Sequence, residues 1–275
     1  MREGAGFSPG KMSERGEVTS DTPRVSVIVP TRNRPQLLHE ALQSLVKQRG
    51  VRFEVIVVND AGEDVQSVID EFTGALDITY IQLARNQGLP AARNRGVERA
   101  RGSYIAYLDD DDLLLPSHLA RLAARLDARS DVGLVYADAL LLRQKFAEEG
   151  LHTVAHRILA HDFDIEIMRH DSFIAPSAMM HRRECFDAVG GFDEAMRWCY
   201  EDWDFLLRVA NRYRIERVAG ATAVIRLRND NMSRVVRPER ARAARLLQQR
   251  YGAGEIEPKT FWEVADTLEA MKSNR

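Results

Sequence analysis

Between residues 24 and 108, short apolar runs alternate with segments of helical periodicity, and this alternation narrows the possible folds more than any other feature of the chain. The runs at 24–31, 53–58, 78–83 and 103–108 are rich in β-branched and aromatic residues, the composition of buried strands. Pro30 stops the first of them. Pro35 then opens a helix at the position where a missing N–H is harmless, and Leu37, Leu38, Ala41, Leu42, Leu45 and Val46 recur on one face. Further helices are predicted over about 65–72 and from Pro90 to about 100. Strands joined by helices in this way form βαβ units, and hence a mostly parallel sheet with helices on both faces.

Such a sheet has an address for chemistry, because ligands bind beyond the carboxyl ends of its strands. Thr31, Asp60 and the acidic run from Asp109 to Asp112 all stand at such ends, so loops distant in sequence can converge on one crevice. In Tyr104-Ile-Ala-Tyr-Leu-Asp-Asp-Asp-Asp112 the strand ends in four adjacent carboxylates that cannot all be splayed into bulk water. A divalent cation would relieve their repulsion. Hard oxygen ligands suit Mg²⁺ or Mn²⁺, which recruit one or two protein carboxylates and complete their shell with phosphate and water. The plainer reading is an acidic turn capping the next helix, since Asp ahead of Leu113-Leu-Leu-Pro116 is good capping chemistry. This stretch alone leaves both open.

Past Pro116 an amphipathic helix is predicted to about 128, then a strand at 132–136. Over 140–170 the pattern weakens, which suggests a variable insertion or a lid. His152 and His156 would share a helix face there, but no cysteine or strong carboxylate pattern accompanies them to make a zinc site. Residues 173–180 read as a strand and 183–189 as a short helix ended by Gly190-Gly191. In Trp198-Cys-Tyr-Glu-Asp-Trp-Asp-Phe205, the apolar face of Trp203, Leu206, Leu207 and Ala210 places Glu201 and Asp202 at a helix start. The helix dipole favours carboxylates there. The sharper reading is a general base beside an acceptor hydroxyl, and position does not separate the two. A last strand is predicted at 215–227, followed by a basic helical tail with Arg234, Arg237, Arg240, Arg242, Arg245 and Arg250. A solvated face is the plain account of that charge, and peripheral contact with an anionic membrane the alternative.

A net charge of −2 gives no whole-chain electrostatic case for nucleic acid. Cys185 and Cys199 are too few for a disulfide framework, which makes a reducing cytoplasm the default. No apolar stretch approaches the roughly 20 residues that span a bilayer. Residues 1–22 are polar and are expected to be a disordered leader, with one domain over 23–235 and the helical tail over 236–275.

In order, Val27-Ile-Val-Pro-Thr-Arg-Asn-Arg34, Val55-Ile-Val-Val-Asn-Asp60, Asn86-Gln-Gly88, Ala92-Arg-Asn-Arg-Gly96, the Gly102 to Asp112 run, Gly190-Gly-Phe192 and Glu201-Asp-Trp-Asp204 resemble the family 2 glycosyltransferases. The resemblance covers about 25–233 and implies the GT-A fold, a Rossmann-like sheet in a single catalytic domain. It implies an inverting transfer of sugar from a nucleotide-diphosphate sugar, with UDP favoured, to the hydroxyl of a saccharide or lipid-linked acceptor in polysaccharide, glycolipid or other glycoconjugate synthesis. Asp109-Asp110-Asp111 looks like the family's Asp-x-Asp motif, with Asp111 the direct ligand of Mg²⁺ or Mn²⁺. Asp109 and Asp110 would support the metal or contact the ribose. Asp60 is similar to the residue that hydrogen-bonds the base, and Pro30, Thr31, Asn33, Arg34, Asn86 and Arg93 belong to matching donor-site motifs. Asp202 looks like the catalytic base, with Glu201 beside it. Where many members carry a histidine, ahead of Asn231-Met-Ser233, this chain has Arg228, which cannot ligate metal but can pair with a diphosphate.

Readings of other classes stand beside this one. A metal-dependent nucleotidyltransferase would call for a Gly-rich phosphate loop after the first strand, and Pro30-Thr-Arg-Asn-Arg34 is not one. A non-catalytic nucleotide-sugar-binding module would have no need of both the acidic motif and Asp202. A glycoside hydrolase would use two carboxylates flanking the scissile bond and no nucleotide.

Overall fold

Val25, Val27, Ile28 and Val29 are fully buried, as are Val55, Ile56, Val57 and Val58, so both faces of these strands meet protein. The computed structural model, which describes residues 23–147, 150–228, 238–252, 256–257 and 259–273, builds them into the expected α/β sheet. The predicted leader and the Asn231–Ser233 stretch lie outside the described residues. The first half runs β1 (Val25–Thr31), α1 (Pro35–Val46), β2 (Phe53–Asn59), α2 (Gln66–Asp70), β3 (Ile78–Gln82), α3 (Leu89–Arg99) and β4 (Tyr104–Tyr107). The second half continues with β5 (Leu113–Leu114), α4 (His118–Ala128), β6 (Val132–Ala147), β7 (Gly150–Leu159), α5 (Ile165–Met168), β8 (Met179–Arg182), α6 (Arg183–Val189), α7 (Glu201–Ala210), β9 (Arg214–Leu227), α8 (Pro238–Tyr251) and α9 (Phe261–Ser273).

The sheet order is β3-β2-β1-β4-β8-β6-β9-β5, with β7 paired to β6. Its first four strands are mutually parallel, which aims the ends of β1, β2 and β4 the same way. Beyond β4 the pairing is mixed: β8 is antiparallel to β4 and β6, while β6 and β9 run parallel from the Val132–Arg214 pair to the Arg143–Leu227 pair. Helix α3 lies so close to the sheet that a Cβ on Gly96 would come within 2.4 Å of Ile28 Cγ2. At the opposite end from the acidic run, Glu54 is buried and accepts from Ser26 Oγ at 2.6 Å and from Arg101 N and Nε, both at 2.7 Å, which fixes the start of β4.

Three expectations are corrected. Residues 140–159 are no weakly patterned insertion: β6 and β7 form a long hairpin that continues the sheet. A bulge between Arg143 and Gln144 breaks the two-residue alternation that would have revealed it. His152 and His156 consequently lie on a strand. The 173–180 run holds a single turn of 3-10 helix at Pro176–Ala178, and the strand starts only at Met179. The basic tail is a solvated face only in part, and its Arg234 and Arg237 lie outside the described residues. Ala243, Ala244, Leu247, Val264, Ala265 and Leu268 are buried, and α9 packs on β7. There the Trp262 ring lies 4.1 Å from the Arg143 guanidinium and 5.0 Å from that of Arg157, which also pairs with Asp266 and Glu269. Arg242 and Arg245 stay at the surface, whereas Arg240 is buried. No helix among the described residues is long and apolar enough to cross a membrane.

Candidate active site

Because β1 pairs in parallel with both β2 and β4, Thr31, Asp60 and the acidic run leave the sheet together. Their turns are stitched to one another by side chains. Thr31 Oγ1 donates to Asp110 Oδ2 at 2.8 Å. Asn33 takes a left-handed backbone (φ 56) and its Oδ1 accepts from Glu63 N at 2.8 Å, which ties the first turn to the second. Asp60 accepts from Asn86 Nδ2 at 2.8 Å, Gln87 N at 2.6 Å and Gly88 N at 2.8 Å, so its carboxylate shapes the entry to α3. Gly88 sits at φ 95, a conformation glycine adopts without strain.

These turns wall a cavity of about 450 Å³ that is lined by Pro30, Thr31, Arg34, Asp60, Asn86 and all four aspartates. The aspartates divide their partners. Asp109 accepts from Arg93 Nη2 at 2.6 Å. Asp110 takes Thr31 and, at 3.3 Å, Arg34 Nη1. Asp111 Oδ2 takes Arg34 Nη1 and Arg228 Nη2, each at 3.2 Å. Asp112 is structural: it accepts from Ser177 Oγ at 2.7 Å and Arg226 N at 3.0 Å, tying the run to the 3-10 turn and to β9. None of the four caps a helix, because α4 starts only at His118 behind Ser117.

Nearby cations do not fully offset this charge. Burial, with help from Asp111, pushes the Asp110 carboxyl up to about 7. Burial also raises Asp111 despite Arg34, Arg228 and Arg226, and holds Asp112 well above the usual carboxylate range. Among the described residues no group of three or more His, Cys, Asp and Glu side chains forms a metal cage. The cavity instead offers Asp109 and Asp111, one or two oxygens of the kind Mg²⁺ takes from protein when phosphate and water supply the rest.

A second cavity of about 170 Å³ adjoins the first, and both are lined by Leu89, Asp109, Pro176, Trp198, Arg240 and Phe261. Arg93, fully buried, reaches from α3 to both Asp109 and Glu201 Oε1, the latter at 2.7 Å. Burial and the neighbouring Asp202 push Glu201 up to about 7. Asp202 lines this second cavity, and its Oδ1 accepts from Trp203 N at 2.9 Å. Burial raises its carboxyl as well. Just before this pair, Tyr200 is held at φ 64, an uncommon strained backbone for a tyrosine. Asp204 faces away from the chemistry: fully buried, it accepts from Arg208 Nε and Arg250 Nη1 at 2.8 Å and Tyr251 OH at 2.7 Å.

Most residues singled out from the sequence therefore meet, in differing roles. Asn33 braces the turns without lining either cavity, and Arg228, which lines neither, meets the wall of the first through Asp111. Sequence reasoning gave no site role to Ser177, Arg197, Trp198, Arg226 and Phe261, and placed Arg240 only in the basic tail. Arg226 lines the first cavity and holds the Asp111 carbonyl and Glu40. Its spacing of two from Arg228 along a strand was a usable signal. So was Thr260-x-x-Glu263, a capping box in which Thr260 N donates to Glu263 Oε2 at 2.7 Å and announces α9.

Comparison with known proteins adds four findings. Residues 26–190 match the model of glycosyl transferase family 2. The uncharacterized glycosyltransferase YwdF of Bacillus subtilis (strain 168) is 35% identical over 240 residues, spanning 86% of this chain and 88% of that protein. The succinoglycan biosynthesis protein ExoO of Rhizobium meliloti (strain 1021) is 30% identical over 226 residues, 78% of this chain and 64% of ExoO. Among solved structures, S. aureus TarS 1–349 in complex with UDP-GlcNAc superposes with a TM-score of 0.63 at 22% identity, covering 86% of this chain and 68% of that one, a likeness of fold.

Proposed function

The chain belongs to glycosyl transferase family 2 and is a glycosyltransferase of GT-A fold, and from that premise we propose a division of labour between its two cavities. The larger takes the nucleotide-diphosphate sugar, and the smaller delivers an acceptor hydroxyl to Asp202. The observation that carries this reading is the seam: donor-side Asp109 and base candidate Asp202 line the same small cavity, and Asp109 lines the large one too. UDP is the favoured nucleotide, in keeping with the complex formed by TarS. The acceptor is a saccharide or a lipid-linked sugar, as in the making of a polysaccharide or glycoconjugate. Two unpaired cysteines accord with a cytoplasmic setting.

Asp60 accepts the imide N–H of the base while it holds the Asn86–Gly88 turn. Thr31 and Asp110 border the ribose. Arg34, Arg226 and Arg228 converge on Asp111 and supply positive charge where the diphosphate accumulates it. Mg²⁺ or Mn²⁺ held by Asp111 and Asp109 would add Lewis-acid stabilisation of the leaving diphosphate. The acceptor oxygen attacks C1 from the face opposite the diphosphate, the C1–O bond breaks with its electron pair on the leaving oxygen, and the acceptor proton passes to Asp202. This single displacement inverts the anomeric centre and needs no protein nucleophile. Glu201, engaged by Arg93, positions the Arg93–Asp109 pair and stays out of the proton transfer.

The test is calorimetry with UDP and Mn²⁺ beside a transfer assay. Asp111→Asn keeps the side-chain volume and removes one ligand charge, so the fold should persist while transfer drops on the order of a thousandfold. EDTA should act likewise on the unaltered protein. Full transfer in either case would remove the metal from this scheme, and pyrophosphate as product would overturn sugar transfer itself.

A further inference from the structure

The small cavity is not closed by the family-like part of the chain alone. One wall comes from α7 and the residues before it, Tyr200, Asp202 and Trp203, and another from Lys259, Thr260, Phe261 and Val264 at the entry to α9. That second wall is built into the fold. Lys259 Nζ donates to Asp171 Oδ2 at 2.7 Å, Arg240 Nη2 donates to Tyr200 OH at 3.2 Å, and the capping box fixes the turn at Thr260. Arg250 and Tyr251 of α8 meanwhile hold Asp204, two residues past Asp202, so the same C-terminal segment steadies the helix that carries the base.

The lining also speaks to what fits. Asp109, Asp171, Glu201, Asp202 and Glu257 bring five carboxyl groups, against the cations Arg93, Arg240 and Lys259. Arg93 is engaged by Asp109 and Glu201, and Lys259 by Asp171. A phosphate or carboxylate entering this space would meet carboxylates and few cations left to receive it. Hydroxyl groups would meet good acceptors, and Trp198, 44% exposed at the seam, and Phe261 offer apolar ring surface to the C–H face of a sugar. We propose that residues 259–264 form the outer wall of the acceptor subsite, and that this subsite takes an uncharged sugar ring in preference to a phosphorylated or acidic one. The inference rests on the assignment of the small cavity to the acceptor.

Saturation-transfer NMR on the full chain with UDP and Mg²⁺ tests it, using methyl glucopyranoside, methyl galactopyranoside and methyl N-acetylglucosaminide against methyl glucuronide and glucose 6-phosphate. At least one neutral glycoside should bind, and more tightly than either charged probe. Phe261→Ala should weaken that glycoside on the order of tenfold and UDP by a smaller factor, since Phe261 borders both cavities, and Phe261→Trp should restore the glycoside. A fold check by thermal melt accompanies each variant. UDP binding with no neutral glycoside bound, a charged probe bound as well or better, or a glycoside indifferent to Phe261→Ala would each overturn the inference while leaving the donor assignment intact. Absence of UDP binding to the unaltered protein would instead overturn the donor assignment beneath it.

Discussion

Asp202 and Asp60 each carry a plain structural role beside the proposed chemical one, and the two can be pulled apart. Asp202 stands in the first turn of α7 and accepts from Trp203 N, and Asn would keep that acceptor oxygen while giving up only the modest helix-dipole benefit of the charge, about 0.3–1 kcal/mol. An amide cannot take the acceptor's proton, however, so Asp202→Asn should lower turnover roughly a hundred- to ten-thousand-fold with donor affinity nearly unchanged. Steady-state turnover beside UDP calorimetry decides, and retained turnover would reduce Asp202 to a helix-end residue. For Asp60 the structure sharpens the question, because three loop donors already occupy its carboxylate. If Asp60 also reads an imide N–H, the unaltered protein should prefer UDP to CDP, whose base lacks a hydrogen at that nitrogen. Asp60→Ala should weaken UDP by about 1.5–3 kcal/mol and erase the preference. A preference that survives the substitution would show Asp60 to be a loop brace alone.

At the scale of single elements, α4 shows how local sequence is overridden. Its first residue, His118, is fully buried and meets Thr222 of β9 through Nδ1 at 2.9 Å. Burial lowers its pKa to about 3. The ordinary unfolded value is about 6.5, so the folded state resists a proton that the unfolded chain accepts. Stability from this site is therefore present above pH 6.5 and is lost as pH falls, by about 2 kcal/mol between pH 7 and 5. His118→Gln should unfold more readily at pH 7 yet recover about that much relative to the unaltered protein at pH 5. Urea titrations at both values measure the difference, and parallel pH profiles would contradict it. Nothing in the sequence marks His118 as buried, since its partner lies on a strand a hundred residues on. By contrast β1, β2 and β4 and their polar ends were legible, because continuous apolar runs and terminal Asp or Thr residues are local signals. The β6–β7 hairpin was hidden by its bulge. The docking of α8 and α9 was hidden because Arg240 and Arg250 look like solvent charge until their partners Tyr200, Asp193 and Asp204 are placed beside them.

Across the whole molecule, Arg93 joins what the sequence keeps apart. From α3 it donates to Asp109 behind β4 and to Glu201 on α7, and so links the parallel half of the sheet to the helix that carries Asp202. Its guanidinium is planar and forked, and one such group can serve both carboxylates. Lysine offers a single point charge on a shorter reach and would have to favour one of them. Arg93→Lys keeps the net charge, so the domain should still fold, at a cost of about 1–3 kcal/mol for imperfect pairing at a buried site. In a domain of this size that corresponds to a melting point lower by roughly 2–12 °C. The larger effect should be on geometry, since a displacement of about 1 Å between donor and base can cost on the order of a hundredfold in rate. Turnover should accordingly fall roughly ten- to a hundredfold while the affinities for UDP and for the acceptor glycoside each stay within about threefold. Stopped assays with both substrates saturating isolate that change from binding. Unchanged turnover in a correctly folded Arg93→Lys protein would mean that the two halves hold their register without this bridge, and that Arg93 serves only to neutralise the buried carboxylates.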